Sequence, residues 1–380
     1  MSLNSFYNCT LVTFRPNYLD GRVASVTIPI RNLFYLLSYV WDVDWEMEWS
    51  AINADKSGDA LNLLTKILTI STDRIIRRGL DRGYKDVSEE MFGVRGRIDM
   101  ANTIKRNGFA NARLTCNFEE LDYSVLHNQI IKTTLVNLSH ANGLDKGLRE
   151  EVLDLTHRLK AIEPIELSQN VFSKVRFHSN IRNYRLPVAV SKLIYDQLMP
   201  SRETGKYQFV NFTEEKLHAI FEKFVFKYYE KHLNQTIYIG IKSDTVSWQD
   251  TYFEEGIDDF LPVMKTDVSL FNNESKLVVE CKFYESALQS RRINGKELRE
   301  TFISNHLYQL FAYLKNLEIK NNKVISGLIL YPENGKKISS VYSMHGHKVS
   351  IKTINLDSSP QEINDAMLAC LTPFRSMAIN

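Results

Sequence analysis

Asp267, Glu280 and Lys282 are charged residues within two otherwise apolar stretches, and their types and spacing suit a metal-dependent hydrolytic site. They lie in residues 261–284, LPVMKTDVSLFNNESKLVVECKFY, where two runs of strand-forming residues flank a four-residue turn at 272–275. We therefore predict a β-hairpin with one carboxylate on its first strand and a carboxylate and an amine on its second.

The length of the turn sets the register of this hairpin. With a four-residue loop, Phe271 faces Lys276, and the same register places Asp267 opposite Glu280. Directly opposed residues have Cβ atoms about 5 Å apart. Because side chains alternate along a strand, Lys282 shares a face with Glu280. The sequence thus predicts that the three charged side chains meet in one cluster.

Two facing carboxylates repel each other, and a divalent cation between them removes that cost. Oxygen ligands favour Mg²⁺, with Mn²⁺ as an alternative, so Asp267 and Glu280 are candidate metal ligands. A lysine beside such a metal can orient or deprotonate a bound water and offset charge in the transition state, which is the chemistry of phosphodiester hydrolysis. The alternative for an isolated motif is a surface hairpin with an ion pair to Lys282.

A further carboxylate, Glu222, lies in a helix predicted over residues 213–233. It shares an apolar stripe with Val225, Phe226 and Tyr229, where a carboxylate is costly unless it is paired or bound to a metal. We assign Glu222 to the same metal site as a ligand. The alternative is a buried Glu paired with a Lys.

Four more residues are candidate contacts to DNA or phosphate. Gln309 and Tyr313 lie one turn apart on a predicted helix and share a face, and Gln309 could bond either a substrate phosphate or Lys282. Arg291 and Arg292 follow the hairpin closely and could contact phosphates, with a solvated basic loop as the alternative.

The pattern of predicted elements changes class near residue 205. Before it the chain is mostly α-helical with a small β element: the predicted helices are 29–41, 59–77, 119–140 and 146–160, and short strands lie around 94–100. After it helices alternate with strand runs in an α/β arrangement: helices at 213–233, at 296–316 and from Pro360, and strands at 236–248, 263–271, 276–284, 324–331, 339–343 and 348–354. We place the boundary in the polar segment 199–205, which gives domains 1–204 and 205–380.

The composition describes a globular protein. The 380 residues carry 47 Lys and Arg against 45 Asp and Glu, so any nucleic-acid site must be a local basic patch. Four cysteines without CxxC pairing fit a reducing compartment. With no signal peptide and no apolar stretch long enough to span a bilayer, we expect a cytoplasmic protein that does not associate with membranes.

The hairpin, the Glu on the preceding helix and the later QxxxY helix together resemble the PD-(D/E)XK nuclease superfamily in its RecB-like form. More specifically, the chain resembles the McrC family, the nuclease subunits of McrBC-type modification-dependent restriction systems. The resemblance covers residues from about 26 to the end. Five blocks carry it, in the family's order: IPIRNLFYLLSYVW (28–41), RRGLDRGY (77–84), GVRGRIDMANTI (93–104), LPVMKTD (261–267) and NHLYQLFAYL (305–314).

This resemblance implies a C-terminal endonuclease domain with a mixed central sheet flanked by helices, in which Asp267, Glu280 and Lys282 form the catalytic motif and Glu222 is the helix carboxylate. It implies double-stranded DNA as substrate. It also implies a partner, a hexameric AAA+ GTPase ring of McrB type, onto which the N-terminal half docks and whose GTP hydrolysis it stimulates. The sequence has no GxxxxGK[ST] loop, which agrees with a motor on another chain. The alternatives are a stand-alone RecB-like repair nuclease and a non-catalytic adaptor that activates an NTPase.

The N-terminal half contains no catalytic constellation, but residues 93–106 form a stretch that is punctuated by glycines and rich in arginine. We predict that this stretch projects from its domain and that Arg95 and Arg97 contact the partner ring, because arginine is favoured in interfaces and near nucleotide phosphates. The alternative is a small β element whose arginines lie in water.

Overall fold

A computed structural model of the chain describes most of its residues. The described residues are 11–12, 28–43, 59–200, 207–209, 212–233, 238–249, 251, 254, 260–284, 286–289, 292–293, 296–297, 300–320 and 323–377. Arg291 and the side chain of Arg292 lie outside them, so the predicted phosphate contacts of these two arginines remain predictions.

The described helices lie close to the predicted ones along most of the chain. They are α1 (Ile30–Trp41), α2 (Ala60–Arg78), α3 (Met100–Lys105), α4 (Leu126–Ser139), α5 (Lys146–Arg158), α6 (Gln169–Ser173), α7 (Arg185–Gln197), α8 (Glu214–His232), α9 (Ser304–Lys320) and α10 (Pro360–Ala369). Short 3₁₀ segments cover Gly108–Asn111, Ser179–Tyr184 and Thr372–Met377.

The strands include several two-residue pairs besides the longer ones. They are β1 (Leu11–Val12), β2 (Ile28–Pro29), β3 (Gly83–Met91), β4 (Arg97–Ile98), β5 (Leu114–Asp122), β6 (Leu198–Pro200), β7 (Tyr207–Phe209), β8 (Gly240–Lys242), β9 (Thr245–Val246), β10 (Met264–Lys265), β11 (Val268–Phe271), β12 (Ser275–Cys281), β13 (Leu288–Gln289), β14 (Arg292–Ile293), β15 (Lys296–Glu297), β16 (Thr301–Phe302), β17 (Val324–Pro332), β18 (Ser339–Met344) and β19 (His347–Ile354).

The chain forms two compact units. The division near residue 210 lies close to the predicted boundary, but the first 60 residues group with the C-terminal unit and not with the N-terminal one. One unit comprises Leu61–Val210, and the other combines Met1–Ala60 with Asn211–Asn380. The first helix therefore belongs with the C-terminal half. Its aromatic side chains pack on α8, where the rings of Tyr39 and Phe224 have centroids 5.4 Å apart.

A six-stranded mixed sheet forms the centre of the larger unit, with the strand order β18-β19-β17-β12-β11-β8. Strands β12, β17 and β19 are parallel neighbours, whereas β11 pairs antiparallel with both β12 and β8. The connection from β12 to β17 contains α9, as parallel neighbours require a crossover. This is the mixed central sheet with flanking helices that we expected.

Helices cover both faces of this sheet. On one face, α9 packs its Leu310 and Leu314 into a core that includes Val278 and Ile329. On the other face, Lys352 of β19 donates to the carbonyl of Ala369 in α10, and α10 in turn accepts a hydrogen bond from Tyr229 of α8. The sheet is therefore the middle of three layers.

Glycine sets the distance between α9 and the sheet. A Cβ atom at Gly327 of β17 would lie 2.8 Å from the Cδ2 of Leu310, well inside normal contact. The absence of that atom lets α9 approach β17 closely. This approach matters for the site, because Gln309 precedes Leu310 on the same helix.

The smaller unit contains helices α2, α4, α5 and α7 and a three-stranded antiparallel sheet of order β3-β5-β4. Here the predicted helix over 119–140 is wrong at its start. Residues up to Asp122 belong to β5, which pairs with β3 along all nine residues, and the helix begins at Leu126. Cys116 and Phe118 are buried on either side of the exposed Asn117, so strand alternation prevails over helical spacing.

Two other predicted boundaries also differ from the structure. The helix predicted over 296–316 spans Ser304–Lys320 instead, because Phe302 pairs as a strand residue with Leu288. The strand predicted around 94–100 is limited to Arg97–Ile98. Helix α3 begins at Met100, where the Asp99 carboxylate caps it by accepting from the backbone N–H of Asn102.

Within the described part of the chain, none of the helices combines the length and the apolar character that crossing a membrane requires.

Candidate active site

The predicted register of the hairpin is confirmed. Phe271 pairs with Lys276 and Val268 with Val279, so the residue before β11, Asp267, falls opposite Glu280. Every residue of β12 is buried, and the strand lies between β11 and β17 in the sheet. The carboxylate pair is therefore built into the core of the unit, which argues against the alternative of an ordinary surface hairpin.

Asp267 is held by the backbone of the neighbouring strand. Its Oδ2 accepts a hydrogen bond of 2.7 Å from the N–H of Cys281. On the other side of β12, the N–H of Lys282 donates to the carbonyl of Leu330, which extends the parallel pairing with β17 by one residue. Both bonds orient the strand ends that carry the charged side chains.

Lys282 joins the hairpin to α9. Its Nζ donates to Glu280 Oε1 at 2.7 Å and to Gln309 Oε1 at 2.8 Å, and the amide of Gln309 donates to the hydroxyl of Tyr313 at 2.7 Å. Of the two predicted partners of Gln309, the structure shows Lys282. Because Glu280 is 1% and Lys282 8% exposed, this chain of polar contacts lies largely out of solvent.

The buried carboxylates hold protons more tightly than free ones. Burial, together with the negative charge of Asp267, raises the pKa of Glu280 to about 7, although Lys282 opposes that shift. Burial raises the pKa of Asp267 to about 6; the hydrogen bond from Cys281 counteracts it and the charge of Glu222 adds to it. A group that stabilises the negative charge of both carboxylates would reduce the free-energy cost of keeping them charged in this buried place.

The donor atoms fit a divalent cation. The second carboxylate oxygen of Glu280, Oε2, is buried and has no hydrogen-bond partner among the residues that the structure describes. A buried anionic oxygen in that state normally has a ligand. The oxygens of Glu280 and Asp267 are hard donors of the kind that Mg²⁺ prefers.

Glu222 is half-buried on α8 and lies close enough to the cluster that its charge raises the pKa values of Asp267 and Glu280. Across the described residues, however, no three His, Cys, Asp or Glu side chains are gathered into a group that could hold a metal ion. In this structure, then, Glu222 does not complete a three-ligand set with the hairpin carboxylates.

Two histidines near the cluster were missed by sequence reasoning. His218 precedes Glu222 by one helical turn, and its Nε2 donates to the carbonyl of Cys281 at 2.9 Å. His306 lies on α9, one turn before Gln309, and its Nδ1 is 2.8 Å from the hydroxyl of Tyr331. The helical spacing to Glu222 and Gln309 was a usable signal for both, because residues three or four apart share a helix face.

The smaller unit carries a second candidate surface, the β-arm, which we define as residues 83–122. Arg95 lies over the ring of Phe118 at 4.1 Å and 3.5 Å from a carboxylate oxygen of Glu120, and Arg97 is exposed. Its large apolar side chains that are at least half exposed are Tyr84, Phe92, Val94, Met100, Ile104, Phe109 and Leu121. Such a concentration of exposed apolar residues is typical of a surface that binds another protein.

Comparison with known proteins gives consistent matches. The family model described as McrBC 5-methylcytosine restriction system component matches residues 11–332. The chain is 29% identical over 331 residues to a curated protein of Escherichia coli K12, the Type IV methyl-directed restriction enzyme EcoKMcrBC, covering 87% of this chain and 93% of that one.

Among solved structures, the half-complex of Thermococcus gammatolerans McrB AAA+ hexamers with bound McrC matches with a TM-score of 0.56 and 15% identity, covering 91% of this chain and 76% of that chain. This likeness supports the fold. Because the family model extends over most of the sequence, the chain belongs to the family of McrBC 5-methylcytosine restriction system components.

Proposed function

We propose that this chain is the DNA endonuclease subunit of a modification-dependent restriction complex, hydrolysing phosphodiester bonds with Mg²⁺ and docking on an AAA+ GTPase of McrB type. The observation that carries the proposal is the buried cluster of Asp267, Glu280 and Lys282, in which one Glu280 oxygen has no partner in the described part of the chain. An adaptor without catalysis has no use for such a costly arrangement. Family membership supports the restriction role, and the relative bound to McrB hexamers supports the partner.

Asp267 and Glu280 would hold the metal, with Glu222 adding negative charge beside them. When bound, Mg²⁺ supplies positive charge at the phosphate and lowers the pKa of a coordinated water. Lys282 then offers an ammonium group to the phosphate oxygen or the attacking water. Its hydrogen bond to Gln309 keeps the amine on the carboxylate face, so Gln309 is a positioning residue for Lys282.

The proposal is tested with the purified chain, its partner GTPase, GTP and Mg²⁺ on plasmids with and without 5-methylcytosine. We expect cleavage only of the methylated plasmid, and only when all of these components are present. Cleavage by the chain by itself would favour the stand-alone repair nuclease. Stimulated GTP hydrolysis without any cleavage would favour the adaptor.

The raised pKa of Glu280 predicts how stability changes with pH. Because the folded, metal-free chain binds this proton more tightly than the unfolded chain, the stability contributed by the neutral carboxyl is lost as the pH rises from about 4.3 towards 7. The Glu280→Gln variant stays neutral and serves as the reference. Between pH 5 and pH 8 the Tm of the unmutated chain should fall by several degrees relative to this variant, because each kcal/mol of unfolding free energy corresponds to about 2–4 °C.

Calorimetry with and without Mg²⁺ checks this expectation. At pH 8 added Mg²⁺ should raise the Tm of the unmutated chain but leave that of Glu280→Gln unchanged. At pH 5, where the carboxyl is protonated, the effect of the metal on the unmutated chain should shrink. If the Tm values of the two proteins depended equally on pH, Glu280 would not be a carboxyl whose pKa is raised by burial.

Removing positive charge from the β-arm should weaken activation of the partner. We expect the double substitution Arg95→Gln and Arg97→Gln to lower the stimulated rate of GTP hydrolysis about tenfold, since charge-assisted contacts contribute about 1.5–3 kcal/mol. The rate is measured with saturating DNA. Stimulation at the unmutated level would show that this stretch is not the activating element and that another surface of the N-terminal half is.

A further inference from the structure

His306 is a buried histidine beside the candidate catalytic lysine for which the proposed chemistry has no role. It lies in the first turn of α9, one turn before Gln309, which bonds Lys282. The ring packs between two aromatic residues, with centroids 4.7 Å from Tyr284 and 5.7 Å from Tyr331. Its position is therefore set both by α9 and by the segments that carry these tyrosines.

The contact with Tyr331 determines which nitrogen of His306 carries the proton. The phenol of Tyr331 is buried, and a buried hydroxyl needs an acceptor for its proton. Its partner is His306 Nδ1, at 2.8 Å, so the hydroxyl donates and Nδ1 accepts. In a neutral imidazole the proton is then on Nε2.

The surroundings keep this imidazole neutral. Burial, aided by the neighbouring Lys282 and His218, lowers the pKa of His306 to about 4. At neutral pH the ring is thus a hydrogen-bond donor through Nε2 without a charge of its own. It can bind an anionic oxygen beside Lys282 without adding a second cation next to the ammonium group.

We propose that His306 binds a phosphate of the DNA strand next to the phosphate that is cut, donating from Nε2, and that Tyr331 is the residue that orients it. This inference rests on the proposed nuclease function. Phosphates recur about every 3.4 Å of rise along a strand, so a strand whose scissile phosphate lies at Lys282 brings its neighbours within reach of α9. Contacts of this kind set the register of the strand on the protein.

Coupling between His306 and a single phosphate tests the inference. The cut position on a methylated duplex is mapped first, and duplexes with one neutral methylphosphonate at successive positions around the cut are then cleaved by the complex. For the unmutated chain, one position beside the cut should lower the rate about tenfold, as loss of a hydrogen bond to a charged group does. His306→Phe should be about tenfold slower on ordinary DNA, for the same reason, and insensitive to the methylphosphonate at that same position.

Two further variants separate a contact from a structural role. His306→Gln can present an amide N–H near the place of Nε2 and should retain part of the sensitivity at that position. Tyr331→Phe leaves His306 in place but removes the hydroxyl that orients it, and should weaken the same sensitivity. This variant also provides the test if His306→Phe does not fold. GTP hydrolysis should be unchanged in all three.

The outcomes are distinct. If the losses from His306 substitution and from every methylphosphonate simply multiply, His306 is a core residue and the inference is wrong while the nuclease stands. If the unmutated complex leaves ordinary methylated duplex intact, the proposed function fails, and this inference with it.

Discussion

A Lys282→Ala chain should assemble with its GTPase partner and stimulate GTP hydrolysis normally, yet cleave methylated DNA at least about 10³-fold more slowly. The expectation arises from the position of the amine, which donates to both Glu280 and Gln309 within the buried cluster. Removing a group that stabilises charge in the transition state costs about 10²–10³ in rate. Glu280 also loses the hydrogen bond from Lys282 that orders it, which adds to that cost.

The measurements are single-turnover cleavage of a methylated plasmid and steady-state release of phosphate from GTP. Asp267→Asn should show the same separation, because it removes a negative ligand while the amide can still accept from Cys281. Lys265→Ala, at an exposed lysine in β10 just before the hairpin, is the matched control and should cleave normally. Loss of stimulation in a folded Lys282→Ala chain would mean that the two activities are not separable.

The second large effect is expected in the β-arm. Replacing Phe92 and Ile104 together with Ser should abolish association with the GTPase and hence both stimulation and cleavage. These side chains are 76% and 64% exposed, and large apolar residues at an interface centre contribute about 2 kcal/mol or more each. Two such losses correspond to about a thousandfold weaker binding.

Association is measured by sedimentation of the chain with the GTPase in the presence of a slowly hydrolysed GTP analogue. Leu153→Ser is the matched control, since Leu153 is a similarly exposed apolar residue of the same unit outside the β-arm, on α5. If Leu153→Ser and the double substitution weaken binding equally, the effect comes from any added polar residue on this unit. If neither weakens it, the β-arm is not the docking surface.

Local chemistry made the hairpin predictable. The turn at Asn272, where the side chain accepts from the backbone N–H of Glu274 and Ser275, closes the loop with residues that sequence alone identifies. Once the loop length is known, the pairing of Phe271 with Lys276 and the meeting of Asp267 with Glu280 follow from the period of a strand. Helix α8 was equally predictable, since Thr213 caps it as expected for its N-terminus.

Sequence spacing failed where a segment was stabilised by a distant partner. A short turn follows residues 119–122, in which the Asp122 carboxylate accepts from the backbone N–H of Ser124, but only pairing with β3 shows that these residues form a strand. In the same way, α1 was grouped with its neighbours in sequence. Its Asn32 side chain donates instead to the carbonyls of Leu356 and Ser358, which lie 324 and 326 residues away along the chain.

The sequence by itself determined the candidate catalytic cluster of Asp267, Glu280 and Lys282, because these residues belong to one hairpin whose geometry is local. Only the tertiary structure decided what surrounds that cluster. The helices α8 and α9 bring His218 and His306 to it from outside the hairpin, and no local rule specifies how a helix is rotated on a sheet. Side-chain packing of Leu310 against Gly327 specifies that rotation for α9, and it exists only after the sheet has formed.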